Sequence, residues 1–328
     1  MALFRREWGE GRPVLALHPL GLDSSAFAGF GSALAARGFR TIALDLPGFG
    51  RTPAGTARPT PACLAAPVIE IARRLPEPPV LLGVSLGGRV ALEAGLVAPA
   101  AFRSVIAIAP ALPWLRFRAL LPGAYLLAPE IAGWLPLERA WPVLRWLAGL
   151  LASMPFLRDD ELAQSGARLV YHFSCPATRA SFIATARELA LDPPHGPVGF
   201  WSRLPDLSLP AGFVWGERDR LISKRYAHHV ALARSDALQL LVPCAGHWLN
   251  GPHHRCLAAA TAHVIAELDR RERGDTAPGR ARAARAPAGE ARIRIGAAEL
   301  GTRACVSAAA AEPRPPGVWT PEIGGRRG

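Results

Sequence analysis

Residues 80–89, Val-Leu-Leu-Gly-Val-Ser-Leu-Gly-Gly-Arg, constrain this chain more than any other stretch. An apolar run suited to a buried strand ends at Ser85, Gly83 and Gly87 stand two positions either side, and helix-forming residues follow at once. Strand, sharp turn and helix in so few residues force the chain to double back where flanking side chains would collide. Glycine at 83 and 87 relieves that crowding. The turn holds the serine hydroxyl proud of the sheet and aims the N-terminus of the next helix at it, so the Leu86 amide could meet a developing oxyanion. A glycine-rich turn with an incidental serine fits the same ten residues, and the rest of the chain must decide.

The flanking pattern predicts strands alternating with helices. Residues 4–11 offer at most one short strand, 13–17 read as a buried strand, and 24–37 as a helix with Ser24 or Ser25 as N-cap and Gly38 as stop. A strand at 40–46, a helix at 61–74, strand, turn and helix at 79–98, and a strand at 103–109 follow. Beyond Pro110 the chain becomes helical pieces broken by Pro and Gly, carrying Trp114, Trp134, Trp141, Trp146 and Trp201. The alternation then resumes with strands at 211–216 and 237–242 and helices at 223–234 and 253–271. This order predicts an α/β fold with a doubly wound, mostly parallel sheet. The core is expected over 1–110 and 206–270, a helical insertion over 111–205, and a largely disordered Ala, Arg, Gly and Pro tail over 271–328.

With 328 residues, the chain is long enough to bury a sizeable core. Its formal charge of +12 does not predict a nucleic-acid partner, because the arginines are spread: residues 271–328 hold 11 of them against 6 acidic residues, with Trp319 the single tryptophan. The five cysteines are odd in number and widely spaced, which argues against a disulfide framework or a zinc site. Adjacent pairs such as His228-His229 and His253-His254 project to different sides of a helix, so no metal or other cofactor is expected. Between 111 and 157 the apolar sequence is broken by Arg116, Arg118, Glu130, Glu138, Arg139 and Arg145, so stable membrane insertion is not expected. No signal peptide precedes the first strand, and a cytoplasmic location follows as the default.

A serine needs an imidazole to take its proton and a carboxylate to orient that imidazole. Asp219 lies just beyond the strand at 211–216, and His247 just beyond the strand at 237–242. With Ser85 they fall at the C-terminal ends of strands of one parallel sheet, where open α/β sheets build their sites. Glu217, two residues before Asp219, is the competing carboxylate.

Taken together, these motifs resemble the α/β-hydrolase superfamily over roughly residues 8–270. The resemblance implies Ser85, Asp219 and His247 as a catalytic triad in the expected order. His18-Pro19-Leu20-Gly21 is similar to the family's His-Gly turn and implies the Leu20 amide, with that of Leu86, as oxyanion hole, His18 supporting the turn. Pro19 replaces the common glycine, yet the required amide is one residue later. Asp45 to Gly50 resembles the family's Asp-x-x-Gly-x-Gly turn, and residues 111–205 fall where the family inserts its cap. Arg89 reads as a structural or surface arginine.

The expected activity is hydrolysis of an ester, or a similarly activated carbonyl, of a small substrate with an apolar portion. A carbon–carbon bond hydrolase or a cofactor-free perhydrolase would use the same serine site. A non-enzymatic binder of apolar small molecules would share the fold without needing a triad. Epoxide hydrolases and dehalogenases would place an aspartate where Ser85 stands.

Overall fold

A computed structural model describes residues 2–113, 175–219, 221–243, 245–247 and 253–274. Seven strands form one sheet: β1 (Arg5–Trp8), β2 (Arg12–Leu17), β3 (Phe39–Leu44), β4 (Val80–Val84), β5 (Ser104–Ile108), β6 (Ala211–Gly216) and β7 (Leu238–Val242). Their order is β1-β3-β2-β4-β5-β6-β7, with β1 antiparallel to β3 and every other pair parallel. The doubly wound, mostly parallel sheet expected from the sequence is therefore present.

The described α-helices are α1 (Ala28–Ala35), α2 (Pro61–Ala72), α3 (Leu86–Val97), α4 (Pro176–Leu191), α5 (Phe200–Arg203), α6 (Tyr226–Ala233) and α7 (His254–Glu272). The first differs from its expected extent. Residues Ser24–Phe27 form a 3-10 turn capped by Asp23, whose carboxylate accepts from the Ser25 amide at 2.7 Å, rather than the start of an α-helix capped by a serine. The other predicted boundaries agree to within a few residues.

Strand alternation sorts side chains into two layers. Leu15 and Leu17 of β2, Val105 and Ala107 of β5, and Phe213 and Trp215 of β6 join a core with Leu64 of α2 and Leu86 and Leu92 of α3. Val14 and Ala16, Ile106 and Ile108, and Val214 face the other way, against Phe30 and Leu34 of α1 and Leu257 and Val264 of α7. Because both faces are covered, these strands read as continuous apolar runs.

From β2 the chain moves outward to β3 and then returns past β2 to β4, so the winding direction reverses between β2 and β4. At such a switch point the strand ends open a crevice for ligands. The turn after β4 is held tightly there. A Cβ at Gly87 would sit 2.1 Å from the Leu17 carbonyl oxygen, and one at Gly83 would sit 2.0 Å from that of Gly87. Gly87→Ala is thus expected to lower stability by about 3 kcal/mol, seen as a lower denaturant midpoint with an unchanged slope; a wild-type midpoint would show that the backbone yields.

Of residues 111–205, expected to form an insertion, 111–113 and 175–205 are described, and 176–191 and 200–203 are helical. Trp114, Trp134, Trp141 and Trp146, and the tail from 275 onward, lie outside the described residues. Among the described residues, no helix is long and apolar enough to cross a membrane, and no cluster of His, Cys, Asp and Glu could hold a metal ion. Cys63 and Cys175 are free thiols, whereas Cys256 in the first turn of α7 is disulfide-bonded. The sequence argued against a disulfide framework and did not single out this cross-link: spacing along the chain is silent about thiols that folding brings together.

Candidate active site

Strand β4 delivers Ser85 directly into α3, and the serine adopts φ 53° and ψ −113°. Positive φ is costly for a residue with a Cβ, so the surroundings must enforce it. They do so through the backbone. The Ser85 amide donates to the Ile108 carbonyl at 3.0 Å, while the Ser85 carbonyl accepts from Arg89 at 3.0 Å and from Ala111 at 2.9 Å. Ser85 itself is 7% exposed.

Asp219 follows β6 by three residues. One carboxylate oxygen, Oδ1, accepts from the backbone amides of Leu221 at 2.8 Å and Ile222 at 2.7 Å. The other, Oδ2, lies 2.8 Å from His247 Nδ1. This Asx-type clamp fixes the carboxylate before the histidine meets it. Two further backbone bonds join the loops, from Glu217 to the Val242 carbonyl and from Arg218 to the Ala245 carbonyl, each 3.0 Å. The Asp219 side chain is fully buried and that of His247 is 4% exposed. The carboxylate engages Nδ1, so a reacting group would be served through Nε2. Glu217 instead faces the surface, where it pairs with Lys224 at 3.2 Å.

His18, at the end of β2, is completely buried. Its Nε2 accepts from the Leu46 amide at 3.0 Å, so Nδ1 carries the proton and donates to the Pro19 carbonyl at 2.8 Å. The Pro19 carbonyl also accepts from the Leu22 amide at 3.3 Å, closing the turn that presents Leu20. The close approach of Gly87 to Leu17 and His18 brings this turn against the first turn of α3. Leu86, the first residue of that helix, has an amide with no intrahelical acceptor. Leu20 and Leu86 thus belong to two segments that pack against each other where Gly87 meets Leu17 and His18. Replacing His18 with phenylalanine keeps the ring but strands the buried Leu46 amide, an expected loss of about 1–3 kcal/mol in denaturant unfolding; no change in midpoint would show that this contact contributes nothing.

Asp45 anchors the neighbouring turn: its carboxylate accepts from the Ser24 amide at 2.7 Å and the Arg51 amide at 2.8 Å. The role is structural, as its turn-rich sequence suggested. Arg89 is structural too, but buried deeply rather than on the surface.

Topology and sequence lead to the same family. A profile of the alpha/beta hydrolase family matches residues 14–261, and the chain belongs to that family, as the sequence motifs implied. It is a hydrolase of carboxylesterase-like kind. Among its relatives, the pimeloyl-[acyl-carrier protein] methyl ester esterase of Aeromonas hydrophila subsp. hydrophila is 31% identical over 225 residues, covering 68% of this chain and 84% of that protein. The Edwardsiella ictaluri protein of the same name is 28% identical over 265 residues, covering 78% and 95%. A thermophilic esterase from Thermogutta terrifontis shares the fold, with a TM-score of 0.61 at 21% identity over 82% of this chain and 93% of that one.

Proposed function

We propose that the chain hydrolyses a carboxylic ester by acyl transfer through Ser85, His247 and Asp219. The observation that carries this is the buried Asp219–His247 contact of 2.8 Å, at the same sheet edge as a serine with positive φ. Ser85 Oγ attacks the ester carbonyl carbon as His247 Nε2 takes its proton. Asp219 holds the imidazole in the Nδ1-protonated tautomer and stabilises its cation. The carbonyl oxygen, now negative, is met by the Leu20 and Leu86 amides. As the carbon–oxygen bond breaks, His247 returns the proton to the leaving alkoxide. Water then adds to the acyl-enzyme with His247 again as base, releasing the acid and restoring Ser85.

The substrate proposed is an ester with an apolar portion. The relatives' names make a methyl ester of a carrier-linked acyl chain the first member of that class to test. Turnover should be measured on p-nitrophenyl esters of increasing chain length and on a methyl ester of a dicarboxylic acyl chain, free and carrier-linked. The proposal expects saturable hydrolysis of some of these. Ligand binding without turnover of any ester would instead favour a binder of the same fold.

A further inference from the structure

The charge network behind the nucleophile joins two distant parts of the chain. Arg89 is 2% exposed and Glu93 3% exposed, one turn apart on α3. Arg89 Nη1 donates to Glu93 Oε2 at 2.8 Å, and Arg89 Nε donates to Asp192 Oδ2 at 2.7 Å. Arg203 Nη2 donates to Glu93 Oε1 at 2.7 Å. The Arg89 guanidinium also lies over the Phe200 ring, 4.5 Å from its centroid. Asp192, Phe200 and Arg203 all belong to the last part of residues 111–205, which leads into β6. Burial opposes ionisation of Glu93, but Arg89 and Arg203 outweigh it and hold the carboxyl below its ordinary range. The network is therefore charged on both sides.

A groove of about 310 Å³ borders these groups, lined also by Arg58 and Glu188. Arg58 donates to Glu188 at 2.7 Å, so each arginine of the groove already has a carboxylate partner. That balance favours a fastening between elements over a site for an anionic ligand.

The fastening sits on the catalytic elbow. The Arg89 amide closes the first i to i−4 bond of α3 on the Ser85 carbonyl, at 3.0 Å. Displacing the guanidinium would therefore pull on the turn that sets both the Ser85 hydroxyl and the Leu86 amide. Misplacing reacting groups by a fraction of an ångström is enough to slow acyl transfer, even with the fold intact.

We propose that Arg89 is a positioning residue for the nucleophile, and that its contact with Asp192 lets the segment leading into β6 fix the geometry of the elbow. This rests on the reading of Ser85 as the nucleophile. Lysine at 89 would keep the charge but lose the fork that meets two carboxylates at once.

The test compares wild type with Arg89→Met, Arg89→Lys, Asp192→Asn and the Arg89→Met/Asp192→Asn double variant. Each is measured well below its melting temperature and normalised to folded protein. The readouts are kcat and KM for p-nitrophenyl acetate and the rate of inactivation by a fluorophosphonate. Arg89→Met should lower kcat and the inactivation rate in parallel by about ten-fold with KM little changed, and Arg89→Lys should recover part of the loss. Asp192→Asn should fall in the same direction, and the double variant should lose little more than Arg89→Met alone. The proposal is overturned if the folded variants acylate at the wild-type rate and lose only thermal stability, or if the two losses multiply as independent effects. Should Arg89→Met fail to fold, Arg89→Lys and Asp192→Asn decide by the same criteria. Failure of the nucleophile assignment would look different, because the wild type itself would not react at Ser85; that result would overturn both.

Discussion

Replacing Ser85 with alanine is expected to lower kcat on a good ester by about a thousand-fold or more, with the unfolding curve almost unchanged. Both halves follow from how the elbow is held. The bonds from Ser85 to Ile108, Arg89 and Ala111 all use backbone atoms, so alanine keeps them. The strained φ of 53° is equally available to alanine, and the stability change should stay within about 0.5 kcal/mol. Activity loss without stability loss is the signature of a group used in chemistry rather than in packing. A variant that unfolds easily, or one that retains near-full kcat, would contradict the assignment.

The second large effect is expected from Asp219→Asn. An asparagine can keep Oδ1 as acceptor for the Leu221 and Ile222 amides, which leaves its NH2 group facing His247 Nδ1. Two donors then confront each other, and the imidazole relieves the clash by moving its proton to Nε2. That tautomer cannot accept a proton from Ser85, and kcat near neutral pH should fall by about 10⁴-fold. Glu217→Gln is the matched control. Glu217 is 39% exposed and paired with Lys224, so its replacement should leave kcat near wild type. Equal losses in the two variants would remove Asp219 from its proposed role.

The sheet was legible because its strands are covered on both faces: Leu15 to Leu17, Leu81 to Val84 and Phe213 to Trp215 carry apolar side chains into both layers at once. β1 was only faintly legible, since its four residues alternate between exposed and half-buried on the sheet edge. The placement of Ser85, Asp219 and His247 at strand ends could be read from local motifs, each within a few residues of a recognisable strand. Arg89 could not be read that way. Its partner Asp192 lies 103 positions further along, and an arginine after a glycine pair looks the same in sequence whether buried or exposed. The 3-10 turn at Ser24–Phe27 was missed for a related reason: Asp23 and Ser25 are both good caps, and only the Asp23–Ser25 bond chooses between them. The cross-link at Cys256 likewise depends on what folding brings near, about which wide spacing carries no information.

The proposed nucleophile, Ser85, can be identified chemically by reaction of the whole chain with a fluorophosphonate, followed by intact mass measurement and peptide mapping. One adduct per chain is expected, located on Ser85, absent from Ser85→Ala and strongly slowed in Asp219→Asn. An unlabelled wild-type chain, or an adduct that maps elsewhere and persists in Ser85→Ala, would contradict it.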